Sequence, residues 1–424
     1  MSENCSVSKN SNSAFLWPHP PLVGVLSMHP APYRDSTYAE VSRRGRIRLQ
    51  VLTLTESDGG HAFWDLEKPD YPNIFLGGGY KIGRSQCIHP GLVRLLHDFH
   101  FDAVVISSLS ATMRLAMLFC WLNGIPYVYS SDGVFNGRLH PLGRVVRSFR
   151  DRLVASCAEA VFVPGRAARV YVESLGVPPH RVFEGCYQLD SEQILSSVRL
   201  ARVQRDRLRA KLGISQQCFV FLMVANMIPT RCHRLLLDAF YQVSVCSDSR
   251  LVLVGEGPER RSLEKVCESK HYKNVRIVGG VAYDDLAKWY AVCDAYVHSG
   301  YEPYSTALAY AATAGCPIVV SRAVGAAQDY VIDGVTGYFC DPLDIDAFAK
   351  NMLLLARNPQ VAKSMGEQAQ RFALRRNTIW AAEQLEEAVM TAIGTKSRRI
   401  GQLVVRPRNQ RRFPREDSRS YLST

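Results

Sequence analysis

The sequence predicts an α/β protein built from two doubly wound parallel-sheet domains that face a central cleft. Three observations predict it. Short β-branched runs alternate with amphipathic helical stretches from Leu22 onward, the pattern of parallel strands joined by crossover helices. The alternation stops once, across the basic, strand-poor residues 191–212, and resumes near Ser215. A chain of 424 residues, 47% hydrophobic and 21% charged, has the length and composition for two sizeable cores.

In the first set, Leu22 to Met28 is a buried-strand run, followed by a turn and an amphipathic stretch from Ser36 to Arg44. Arg46 to Thr55 alternates apolar and polar residues as a half-buried strand does. Residues 56–90 are rich in Gly and Pro, an excursion of a length that usually serves binding. A helix from Leu92 to His97, a strand from Ala103 to Ile106, a helix from Thr112 to Leu122 and a strand from Pro126 to Tyr129 follow. Next come a basic amphipathic helix from Arg144 to Ala158, the strand AVFV and a helix from Ala167 to Leu175.

The second set opens with the strand Cys218 to Val224 and a helix from Leu235 to Val245. The strand Leu251 to Val254 runs into Gly255-Glu256-Gly257-Pro258, then come a helix from Arg260 to Ser269, the strand VRIVG and a helix from Asp284 to Tyr290. Helices from Ile345 to Arg357 and from Thr378 to Ile393 close the ordered chain and are expected to pack back on the first domain, anchored by Trp380. The expected layout is a disordered N-terminus over 1–20, domains over 21–200 and 201–375, a returning helix over 376–394 and a disordered basic tail over 395–424.

Composition excludes several classes. The N-terminus lacks the basic and apolar regions of a secretory signal, and Leu115 to Tyr129, broken by Asn123-Gly124-Ile125-Pro126, is too short to span a bilayer. Twelve cysteines lie scattered without metal-ligand spacing and read as reduced, mostly buried thiols. Of the net charge of +12, the segment from Lys396 onward holds +7, nine basic residues against Glu416 and Asp417. Such a tail is either a solvated extension or a contact for an anionic membrane. No base-stacking aromatics interleave with the arginines, so no nucleic-acid partner is expected.

The most informative stretch runs from Tyr296 to Pro342. A strand ending at Val297 leads into a polar turn carrying Glu302. Ser305 sits where an N-cap belongs, and Gly315 with Pro317 closes the helix. Ile318 to Val320 is a second strand, giving a βαβ unit whose turn lies at the strand's carboxyl end, where open α/β sheets bind ligands. Glu302 there can bind sugar hydroxyls, and the amides of Ser305, Thr306 and Ala307 can hold a phosphate against the helix dipole. The plainer alternative is a solvated loop acid.

Glu302, Gly315, Pro317, the strand Ile318 to Val320, Asp329 and the turn Asp333-Gly334-Val335-Thr336-Gly337 resemble, in one register, the donor-binding signature of the retaining GT-B glycosyltransferases of family GT4. The resemblance spans about residues 20–394; 149–177 and Ala31-Pro32-Tyr33-Arg34 are similar to members that build bacterial surface polysaccharides. It implies a GT-B fold and a metal-independent transfer of sugar, with no cofactor, from a nucleoside diphosphate sugar to a glycan or polyprenyl-linked acceptor. The reduced cysteines point to a cytoplasmic location, and the basic charge of the tail or of the helix carrying Arg144, Arg147, Arg150 and Arg152 is expected to allow peripheral contact with the inner face of the membrane.

By the same resemblance, Glu302 fixes the donor sugar, while Arg231 and Asn226 stand at the diphosphate grip, where family members carry a lysine and an arginine. Asp132 stands on the acceptor side, where a histidine is usual. Tyr33 and Arg34 follow the first strand, with Arg34 expected to contact an anion by its side chain. Ser305 replaces a glycine. The family's second glutamate is Tyr310 here, and a phenol cannot accept from both ribose hydroxyls. Tyr310, Asn226 and Asp132 keep open an alternative, a degenerate GT-B protein acting as a binding or assembly partner. An epimerase or phosphorylase is a third reading.

Overall fold

The computed structural model describes residues 19–55, 69–77, 79–82, 86–134 and 141–404. The first domain comprises β1 (Leu22–Ser27), α1 (Pro32–Arg44), β2 (Arg48–Thr53), β3 (Asn73–Phe75), the hairpin strands β4 (Tyr80–Ile82) and β5 (Gln86–Ile88), α2 (Gly91–Phe99), β6 (Ala103–Ser107), α3 (Ala111–Leu122), β7 (Tyr127–Ser130), α4 (Pro141–Cys157), β8 (Ala160–Val163), α5 (Arg166–Ser174) and β9 (Val182–Glu184). The second comprises α6 (Ser191–Val203), α7 (Arg205–Lys211), β10 (Phe219–Val224), α8 (His233–Cys246), β11 (Ser249–Val254), α9 (Arg260–Ser269), β12 (Val275–Gly279), α10 (Leu286–Val292), β13 (Ala295–His298), α11 (Thr306–Thr313), β14 (Ile318–Ser321), α12 (Ala327–Tyr330), β15 (Gly337–Cys340), α13 (Ile345–Arg357) and α14 (Pro359–Ala373). Last comes α15 (Thr378–Val404).

Two parallel sheets result, ordered β3-β2-β1-β6-β7-β8-β9 and β12-β11-β10-β13-β14-β15. Each reverses direction once, between β1 and β6 and between β10 and β13, which opens a crevice at those strand ends. Strand periodicity divides the cores. In β10, Val220 and Leu222 face one helical layer while Phe219, Phe221 and Met223 face the other. In the first sheet, α2 to α5 cover one face, and α1 with α15 cover the opposite one.

Three features differ from the sequence expectation. The basic stretch 191–212 is helical, and Ile194 and Val198 of α6 join the second domain's core, so the chain changes domain before Ser191. Of the two helices expected to return, α15 alone reaches the first sheet, through Ala382, Leu385, Ala388, Val389 and Ala392; α13 buries Phe348, Met352 and Leu355 in the second domain. Trp380 is half-buried beside Gly185, and the deeper tie is the fully buried Glu386, whose carboxylate accepts from Arg44 and Arg46 at 3.1 Å each. Helix α15 runs on to Val404 because no proline interrupts it before Pro407, so Lys396, Arg398 and Arg399 fall within it. The rest of the expected tail, most of the N-terminus and residues 56–68 lie outside the described residues.

The two domains also meet at a charged contact. Asp329 of α12 accepts from the Arg166 amide at the start of α5 at 3.0 Å, and Arg376 reaches Asp329 at 3.0 Å and Glu184 at 2.5 Å. Gly165 makes room for it, since a Cβ there would lie 1.9 Å from the Asp329 carboxylate. Burial pushes the Asp329 carboxyl up to about 6 despite the Arg376 charge and the Arg166 amide.

Candidate active site

Between the domains lies a cavity of about 460 Å³. The carboxyl ends of β10 to β13 supply one wall: Asn226 and Arg231 after β10, Glu256 after β11, Val281 and Tyr283 after β12, and Glu302 to Ala307 after β13. Tyr33, Asp132, Tyr187 and Leu189 supply the other.

The Glu302 turn is held on both sides by backbone. Tyr301 donates its amide to the Thr230 carbonyl at 2.8 Å, and Gly325 donates to the Glu302 carbonyl at 2.9 Å. Gly300 adopts φ +126 against the Thr230 carbonyl, where a Cβ would approach to 2.6 Å, so the approach requires glycine. The Glu302 carboxylate is consequently fixed. One oxygen accepts from Arg231 Nη2 at 2.8 Å and the other pairs with His298 Nε2 at 2.8 Å. Arg231 also donates to the Tyr301 carbonyl at 2.6 Å.

Burial alone would push the Glu302 carboxyl up. The His298 hydrogen bond and the charges of His298 and Arg231 outweigh it, and Ser305 adds a further hydrogen bond, so Glu302 stays ionised below the ordinary carboxylate range. With that charge, His298 donates from Nε2. His233, at the start of α8, is lowered to about 3 by burial and by nearby His298 and Arg231, and is neutral. Ser305 caps α11 by accepting from the Leu308 amide at 3.4 Å, leaving the helix's first amides at the cavity wall.

Beyond this charged end the cavity is aromatic. Tyr310 is buried and stacks on Tyr290 with ring centroids 4.3 Å apart, and Tyr283 meets it edge-on at 6.5 Å. Burial keeps the Tyr310 hydroxyl a neutral phenol. Tyr304 of the second domain meets Tyr187 of the first at 6.0 Å, and Tyr187 packs against Tyr33 at 5.1 Å, so aromatic contact crosses the cleft.

The structure therefore brings together Glu302, Arg231, Asn226, Ser305, Thr306, Ala307, Tyr310, Tyr33 and Asp132. Asp132 is exposed, with Tyr187 donating to it at 3.4 Å. Arg34 is the exception. It is buried, donates to the His29 carbonyl at 2.9 Å and does not line the cavity. As the third residue of α1 its side chain turns back on the end of β1, which corrects the expected anion contact. His298, Glu256, Tyr187, Tyr283 and Tyr304 were not singled out by the sequence. His298, four residues before Glu302 at a strand end, carried the one legible hint. Among the described residues no three His, Cys, Asp or Glu side chains gather as a metal site.

Comparisons with known proteins match this architecture domain by domain. The family described as glycosyl transferases group 1 matches residues 204–372, and the glycosyl transferase 4-like domain matches 29–183. The chain belongs to the GT4 glycosyltransferases. The fold of this glycosyltransferase is GT-B: Anabaena HepE, solved in complex with UDP, superposes with a TM-score of 0.68 at 16% identity, over 88% of this chain and all of that one. The N-acetyl-alpha-D-glucosaminyl L-malate synthase of Bacillus anthracis is 24% identical over 46% of this chain, and the match spans 49% of that enzyme, about half its length. The alpha-monoglucosyldiacylglycerol synthase of Acholeplasma laidlawii is 22% identical over 66% of this chain and 72% of its own.

Proposed function

We propose that this glycosyltransferase moves a sugar from a nucleoside diphosphate sugar to a glycan or lipid-linked acceptor, with retention at the anomeric carbon and without a metal. The observation that carries the reading is the Glu302 carboxylate, held between His298 and Arg231 beside the N-terminus of α11 and facing Asp132 across the cleft. In the reaction the bond from the anomeric carbon to the phosphate oxygen breaks, and one to the acceptor oxygen forms. The nucleoside diphosphate leaves with the bonding electrons, and the acceptor hydroxyl loses its proton.

Each part has a residue suited to it. The growing negative charge on the diphosphate meets Arg231, the amide donors of α11 and the neutral donor Asn226. The Glu302 carboxylate accepts from sugar hydroxyls and fixes the ring. Asp132 accepts from the sugar or acceptor and favours positive charge at the anomeric carbon. Tyr283, Tyr290 and Tyr310 offer an aromatic wall to the nucleoside. The UDP bound by HepE and the lipid in the name of the Acholeplasma enzyme support a nucleotide donor and a lipid-linked acceptor. The arginines of α4 and the basic tail favour work at an anionic membrane. Among the described residues, no helix is long and apolar enough to cross one.

Turnover and thermal stabilisation across UDP-, GDP- and TDP-sugars test this. At least one donor is expected to stabilise the protein and be hydrolysed or transferred, with both effects lost in Glu302→Ala. Silence across the panel would overturn the reading.

A further inference from the structure

On α3 and α4 the face of the first domain that points away from its sheet carries exposed apolar side chains, and none of the described residues covers them. Helices α3 and α4 follow neighbouring strands β6 and β7 and pack on the same side of the sheet, burying Met113, Ala116 and Cys120 from one and Ala155 from the other. Both then present a second apolar stripe outward. At about 100° per residue, Val145, Val146, Phe149 and Leu153 fall within about 100° of arc on the side of α4 away from buried Asp151 and Ala155. All four are more than half exposed, and Phe149 is 71% exposed. On α3 the outward residues are Leu118, Trp121 and Leu122, again more than half exposed.

Charge limits what can cover this face. Exposed Arg150 and Arg152 flank the α4 stripe on its two sides, and Arg114 is the only charged residue of α3. The one acid of α4, Asp151, is turned inward and taken up by Arg150, Arg147 and the Tyr171 hydroxyl. A stripe of Val, Phe, Leu and Trp edged by arginines, with no outward carboxylate, suits an interface of hydrocarbon below and anionic headgroups above.

We propose that α3 and α4 form a membrane-docking platform that inserts its apolar stripes into the headgroup region of an anionic bilayer. It differs from attraction by charge alone, because inserted side chains hold after salt has screened the arginines. The platform also stands beside the acceptor wall of the cavity, since α4 begins nine residues after Asp132 at the end of β7. A lipid-linked acceptor in the same membrane would meet the cleft there, a point that rests on the proposed function.

The test is sedimentation of the full chain with phosphatidylcholine vesicles containing or lacking roughly a third phosphatidylglycerol, at low and high salt. Binding to the anionic vesicles is expected, with a substantial fraction kept at high salt. The double variant Phe149→Asp/Leu153→Asp should bind at least tenfold more weakly, with unchanged melting temperature and unchanged hydrolysis of a soluble donor. Equal binding by the variant would overturn the platform and leave the tail as the contact. A dimer in light scattering that dissociates in the variant would overturn it too, by assigning the face to a second copy of the chain. Vesicle binding without activity on any donor would instead sink the proposed function and leave the platform standing.

Discussion

Asp329 and Arg376 join the two domains, and their exchange for neutral residues has a calculable effect. The Asp329 side chain is 1% exposed, and one of its oxygens has no hydrogen-bond partner. Its carboxyl is raised from 3.8 to about 6, so the native state holds this proton more tightly than the unfolded chain does. Stability from Asp329 is therefore fully present below about pH 3.8 and lost as the pH rises through about 6. At about 1.4 kcal/mol per tenfold, the gain of wild type over Asp329→Asn should shrink by roughly 2 kcal/mol between pH 4 and pH 7. Arg376→Ala removes the arginine from buried Asp329 and one of the two arginines paired with Glu184, which keeps Arg169 at 2.6 Å, and should cost about 3–5 kcal/mol at pH 7. Urea unfolding of the three proteins across that pH range measures both effects. A wild-type advantage over Asp329→Asn that stays flat, or grows with pH, would refute the reasoning.

The other expectations concern the cavity. His298→Gln removes the first of the groups that hold the Glu302 carboxyl down, so Glu302 should ionise at higher pH, and the acid limb of the pH–rate profile should move up. Tyr310→Phe should change nucleotide affinity by less than about threefold, because the ring is the part packed against Tyr290, whereas Tyr310→Ala should weaken it and lower the melting temperature, as truncating a buried aromatic does. Gly300→Ala places a Cβ against the Thr230 carbonyl at a left-handed φ, and should destabilise by at least 1–3 kcal/mol or abolish activity by shifting the Glu302 turn, as seen by calorimetry and turnover. Turnover should withstand EDTA if Arg231 and the α11 amides carry the diphosphate.

Much of the fold was legible because it is local. The continuous apolar run of β10, buried on both faces, the Ser305 cap and Gly315, which takes φ +78, are decided within a few residues. The same holds for the Glu302 turn, which a strand end and a helix start define. What the sequence hid depends on distant partners. Arg34 looked free to meet an anion, yet the His29 carbonyl and the surrounding phenols bury it. Helix α13 has the apolar face of a returning helix, but α8 offers it a closer surface. The aromatic wall joins residues that follow β9 and β12 with residues of α10 and α11, and no spacing along the chain brings Tyr187, Tyr283, Tyr290 and Tyr310 together. The partners of Asp329 are the Arg166 amide in the first domain and Arg376 beyond α14, both far along the chain, so its signature position carried no hint of the contact between domains.

The proposed transfer depends on one pairing: a nucleoside diphosphate seated between Arg231 and the start of α11, beside Glu302. Isothermal titration of UDP, GDP and TDP into the wild type and Arg231→Ala measures it directly. One of these nucleotides is expected to bind the wild type, and to bind Arg231→Ala at least tenfold more weakly with no loss of fold by circular dichroism. Binding that is absent for all three, or equal in the two proteins, would contradict it.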